Sequence, residues 1–216
     1  MNYIENVYIC IAAPIVIAVL CTRENRRMSM SFVLAGMTAC LLSSYISTFV
    51  ASVVGVDLSV ASVTISPVVE EIMKLAPVLF YILVFEPPMG KAAGTTLMIA
   101  VGFATFENVC YLTQNGAASV TNLLIRGFGT GTMHVICGVI IAIGLVNLWD
   151  KIWLRVAGTL GLLAVAINYH AVFNILVSQE GAASDIGLLI PIVSTALWLI
   201  FRDRIFPGRR PPREEK

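Results

Sequence analysis

Residues 66–85 read SPVVEEIMKLAPVLFYILVF. Twenty residues is about the length of helix that crosses the hydrocarbon of a bilayer. Every residue in this stretch is uncharged except Glu70, Glu71 and Lys74. The run must be a helix, because in lipid only helices and closed barrels satisfy all their backbone hydrogen bonds. The ten-residue alternation of barrel strands is absent here and elsewhere in the chain.

Outward from this stretch the pattern repeats. Apolar runs fall at roughly 3–22, 30–54, 91–113, 121–148, 152–177 and 186–202, each set off by a short polar or turn-forming segment. With residues 66–85 they make about seven transmembrane spans. Composition agrees: 58% of residues are hydrophobic, 12% are charged, and mean hydropathy is +0.88. A soluble domain carries about twice that charged fraction. The fold class read from the sequence is therefore all-α, a polytopic integral membrane protein. The lipid bilayer is its first partner, and no nucleic-acid partner is expected.

Charge placement gives an orientation. No Lys or Arg precedes the first apolar run, whereas Arg23, Arg26 and Arg27 follow it. That order does not fit a cleavable signal peptide and suits a first span inserted with its N-terminus outside. Counting from there, the cytoplasmic segments hold Arg23, Arg26, Arg27, Lys91, Lys151 and Arg155. The C-terminal tail adds Arg202, Arg204, Arg209, Arg210, Arg213 and Lys216, making twelve of the fourteen basic residues. The outer segments hold only Glu5, Asp57, Glu180 and Asp185. This partition follows the positive-inside rule and places the C-terminus in the cytoplasm. The tail from residue 203, with its three prolines, reads as disordered. The five cysteines show no paired spacing for zinc or redox chemistry and read as small buried hydrophobes.

Ionisable groups inside spans are costly, so each is a candidate functional residue. They are Glu70, Glu71 and Lys74 in the third span, Glu107 in the fourth, Arg126 and His134 in the fifth, and His170 with Asn174 in the sixth. At 1.5 Å per residue, Glu70 and Asn174 lie about 6 Å, Glu107 about 10 Å and His170 about 12 Å from the outer ends of their spans. With His134 of the fifth span nearer the midplane, four helices of alternating direction bring polar groups to one level in the outer half of the membrane. Lys74 is three residues from Glu71 and four from Glu70, so helical spacing lets it pair with either. Taken singly, a Glu–Lys pair or an intramembrane His is as readily a helix-packing contact. Arg126 reads as an interfacial, snorkelling side chain. Gly127, Gly129, Gly131 and Gly138 read as positions of close helix packing.

Four segments carry a resemblance: Pro67-Val-Val-Glu-Glu-Ile-Met-Lys74, Gly102-Phe-Ala-Thr-Phe-Glu-Asn-Val-Cys-Tyr111, Met133-His134 and His170-Ala-Val-Phe-Asn174. As EExxK, FxxxEN, a His in a glycine-rich helix, and HxxxN, they resemble the PrsW family of intramembrane proteases. That family is related to the CAAX prenyl endopeptidases and bacteriocin-processing enzymes. The resemblance covers roughly residues 66–177. It departs in having Lys91-Ala-Ala-Gly94 where an acidic residue is expected ahead of the FxxxE helix. It divides the chain into two N-terminal spans (1–65), a four-helix catalytic core (66–177), a C-terminal span (178–202) and a basic cytoplasmic tail (203–216).

The resemblance implies that Glu70 or Glu71 polarises a water molecule and that His170 and Asn174 stabilise an oxyanion. Glu107 and His134 would complete a water or metal site. As cofactor it leaves none or zinc, and His134, His170 and Glu107 would be the zinc ligands. The implied partner is a membrane-anchored protein substrate, such as an anti-sigma factor, cut on the extracytoplasmic side. The alternatives weighed are a CAAX-type maturation endopeptidase, a small transporter or ion carrier, and an inactive scaffold. Inverted internal repeats, which would favour a transporter, are not seen.

Overall fold

The computed structural model describes residue 8 and residues 24–115, 126–149 and 152–205. The expected first span (3–22), most of the loop at 114–121, the Asp150–Lys151 turn, the tail from residue 206 and the Arg126 side chain lie outside what it describes. Every regular element among the described residues is a helix. Seven α-helices follow in order: α1 Glu24–Val54, α2 Leu58–Thr64, α3 Ser66–Phe85, α4 Met89–Asn115, α5 Thr132–Leu148, α6 Ile152–Val177 and α7 Ala182–Ile205. A π-helical turn, Arg126–Gly131, leads into α5.

Among the described residues, five helices are long and apolar enough to cross a membrane: 27–54, 89–114, 127–148, 152–177 and 182–201. The sequence counted α3 as a further span. It has the length but not the composition, because its two glutamates and one lysine interrupt the apolar run. Its first turn carries Pro67, whose missing N–H costs nothing at that position. Its end is set by Glu86, which takes the left-handed conformation (φ 46°, ψ 47°), and by Pro87-Pro88, which cannot extend a helix. The connector at 55–65 is not an open loop. Gly55, at φ 75°, ends α1, and the short helix α2 then packs on α1, α3 and α6.

The tightest crossing is between α1 and α4. A Cβ added at Gly36 would lie 2.0 Å from the Ile99 carbonyl oxygen, and one at Gly102 would lie 2.0 Å from that of Val33. Reciprocal glycines let the two backbones touch, as small residues do between membrane helices. Of the glycines expected to serve packing, Gly138 faces Ala100 on α4 and Gly129 faces Leu188 on α7, while Gly127 faces open space.

Two apolar cores result. Leu75, Val78, Ile99, Met133, Cys137 and Phe173 join α3 to α6, and Met37, Cys40, Phe103 and Phe106 join α1 to α4. Outward-facing side chains such as Phe80, Leu83, Phe85, Trp153 and Val156 are exposed, as expected of a surface solvated by lipid.

Candidate active site

The charged face of α3 points inward. Lys74 Nζ donates to Glu71 Oε1 at 2.6 Å, so of the two possible partners the i,i+3 carboxylate has its bond. The same ammonium lies 3.2 Å from His134 Nδ1 on α5 and 4.9 Å from the centre of the Phe103 ring. An ammonium has only donors. His134 Nδ1 must therefore accept, which leaves Nε2–H to donate to Glu107 Oε2 on α4 at 2.5 Å. On α6, His170 Nδ1 lies 2.8 Å from Glu71 Oε1 and donates to it. The His170 Nε2 lone pair then faces Glu70 Oε2 at 3.8 Å. The two imidazole rings meet edge to face, with centroids 4.9 Å apart.

Burial sorts the residues into two sets. The side chains of His134 and Glu71 are 0% and 3% exposed, and Lys74 and His170 are buried with them. Glu70 and Glu107 are 17% and 27% exposed. Both line a cleft of about 270 Å³ whose other walls come from α1, α2 and the C-terminal half of α4. The inner set is a closed network in which each charge meets an opposite charge or a ring nitrogen. Charges buried this deeply persist only when so paired. The outer pair is where a substrate could arrive.

The arrangement also fits a divalent cation. The ligand atoms of Glu70, His134 and His170 all lie within 4.8 Å of one another. Two imidazoles and a carboxylate are a common donor set for zinc in hydrolytic sites. His170 spends its other ring nitrogen on Glu71, the carboxylate support that orients many metal-bound histidines. A lone pair and a carboxylate oxygen facing each other at 3.8 Å, too far to bond directly, suit a cation shared between them. The sequence had named Glu107 with the two histidines. In the structure Glu107 bonds His134, and Glu70 completes the three-residue group.

Thus the structure brings Glu70, Glu71, Glu107, His134 and His170 together. Asn174, one turn beyond His170, donates from Nδ2 to the Ser62 carbonyl at 2.9 Å and ties α6 to α2. The sequence reading missed Ser43, Ser44, Ser47 and Thr48, which line the cleft from α1. Their spacing of three and four residues along one helical face was the available signal.

A family model described as PrsW family intramembrane metalloprotease matches residues 24–200. The match takes in α1 and α7 as well as the motif-bearing core. No curated protein and no solved structure matches the chain.

Proposed function

The chain belongs to the PrsW family of intramembrane metalloproteases, and on that premise we propose that it hydrolyses a peptide bond in a membrane-anchored protein at the cleft beside Glu70 and Glu107. As a member it is a multi-pass membrane peptidase with a protein substrate. The observation that carries the proposal is the convergence of two histidines and three glutamates from four helices, with Glu70 and Glu107 of that group lining a cleft.

Glu70, His134 and His170 would hold the metal. When bound, such an ion polarises the scissile carbonyl and makes water a stronger nucleophile. The protein groups have separate tasks. Glu107, partly exposed in the cleft, accepts the proton of the attacking water on a carboxylate oxygen and passes it to the leaving amine. Glu71 holds His170 by its Nδ1–H and leaves its Nε2 lone pair toward Glu70. His134, whose Nδ1 accepts from Lys74, would offer Nε2 to a metal on giving up the proton it donates to Glu107. Lys74 also balances the Glu71 charge, so the buried half stays close to neutral.

The distribution of basic residues supports a site facing the extracytoplasmic side. The substrate class is a single-span regulator, such as an anti-sigma factor, that receives its first cut there. A cysteine at Ala183, in a chain without other cysteines, should react with an impermeant thiol reagent in intact cells. Protection there until the membrane is opened would invert the orientation. For the chemistry, a co-expressed, tagged single-span protein should yield a shorter fragment with the wild-type chain. Glu71→Gln and His170→Ala, at equal membrane abundance, should lose roughly a hundredfold or more of that cleavage. Full cleavage by both would defeat the protease reading.

A further inference from the structure

We propose that the hydroxyl-bearing face of α1, anchored on Ser47, is the substrate wall of this cleft, and that it holds an extended peptide segment of small side chains. The inference rests on the hydrolytic reading above and names what the site takes.

The cleft has two unlike walls. Glu70 and Glu107 form one, and Ser43, Ser44, Ser47 and Thr48 form the other, with Phe103 and Phe106 also lining the cavity. In membrane helices a serine or threonine hydroxyl is usually spent on the carbonyl three or four residues back. Ser43 does this to Cys40 at 2.9 Å, and Thr48 does it to Ser44 at 2.8 Å. Ser47 does not. It is only 6% exposed, and its Oγ has no hydrogen-bond partner among the described residues. A buried hydroxyl without a partner is unfavourable unless something else completes it.

A peptide backbone is such a complement. Entering a cleft walled by apolar helices, it loses water from N–H and C=O groups that must find new partners. Ser47 Oγ is closed off in the conformation seen, and a turn about χ1 would bring it into the cleft to accept from one or donate to the other. Shape restricts the ligand further. A helix with its side chains is about 10–12 Å across, and ligand pockets commonly start at about 300 Å³. A cavity of about 270 Å³ therefore takes an unwound, extended segment and has little room for large side chains. The substrate is then a flexible or unwound stretch rich in glycine, alanine and serine.

The test uses the full chain in membranes with its five cysteines replaced by alanine. Ser47→Cys should be modified by a small impermeant thiol reagent. Leu42→Cys, at a residue on the outer surface of α1, should not. Acetyl-Ala-Gly-Ala-Ala-amide should slow the Ser47→Cys reaction several-fold, and acetyl-Trp-Phe-Trp-Phe-amide should not. If Ser47→Cys fails to accumulate, Ser44→Cys on the same wall takes its place. The measurement is repeated with Glu107→Gln, where protection should persist although nothing is cut. Protection by the small peptide in a chain whose Glu107 is intact, yet which never cleaves a single-span protein, would sink the hydrolytic reading while leaving the wall's peptide binding in place. Absence of modification, modification that neither peptide slows, or equal protection by the bulky peptide would overturn the substrate wall itself.

Discussion

Among the described residues, two clefts lie at opposite ends of α3 and α4, and the larger of this pair has the poorer chemistry. One, at the start of α3, encloses about 270 Å³ and contains Glu70 and Glu107. The other lies between the end of α3 and the α5–α6 corner and encloses about 820 Å³. Its lining is mostly apolar, with Leu79, Leu83, Val156 and Leu160, and its charges are Glu86 and Arg155. Arg155 already spends its Nε–H on the Trp149 carbonyl at 2.7 Å. At the smaller cleft, Glu70 and Glu107 back onto the buried His134, His170 and Glu71, so that the group draws on four helices. Volume follows from how helices splay, whereas reactivity requires that buried charges be paired and aimed. In this bundle the paired and aimed charges lie at the smaller cleft.

The largest effect should come from removing metal. If Glu70, His134 and His170 hold an ion, the purified chain should carry about one zinc, or a similar divalent ion, per molecule. Stripping it with a strong chelator should abolish cleavage, and returning the ion should restore it. Elemental analysis of His134→Ala and His170→Ala should show the ion gone from both. Activity that survives complete removal would favour a glutamate-driven site without metal, the other of the two cases the sequence leaves open. It would narrow the chemical difference between the clefts to their acids and imidazoles.

Next in size is a stability effect confined to the smaller cleft's inner wall. Lys74→Met leaves Glu71 as an uncompensated buried charge and should cost about 3–5 kcal/mol. Thermal unfolding in detergent should register that loss. Adding Glu71→Gln to Lys74→Met should recover part of it, because no unpaired carboxylate then remains. A Lys74→Met chain as stable as wild type would mean that the inner network is not held by charge pairing.

Much of this organisation is legible in the sequence, and the part that is not has identifiable causes. Hydropathy and length find α1 and α4 to α7, and the cost of intramembrane charge singles out Glu70, Glu71, Glu107, His134 and His170. Helical spacing cannot say which glutamate Lys74 chooses, since both are within reach. The choice of Glu71 depends on how α3 is rotated toward α5 and α6. The same rotation places Glu70, and not Glu107, with the two histidines. Asn174 is tied to Ser62 only because residues 58–64 fold into a helix beside α6, and nothing in that apolar connector announces it. The α1 hydroxyls escape notice because most serines in such helices bond their own backbone. Only the fold reveals that Ser47 does not.

The central claim is that the smaller cleft does chemistry and the larger does not. It is tested most directly by one comparison in lipid vesicles that contain the purified chain and a tagged single-span protein. Glu107→Gln removes the cleft-facing base with almost no change of shape, and Arg155→Gln makes a comparable change in the larger cleft. Glu107→Gln should keep its metal and melting temperature but cleave about 10²–10⁴-fold more slowly, the usual contribution of a positioned base. Arg155→Gln should cleave at close to the wild-type rate. A Glu107→Gln chain that cuts at the wild-type rate, or an Arg155→Gln chain that loses cleavage at equal stability, would contradict the account.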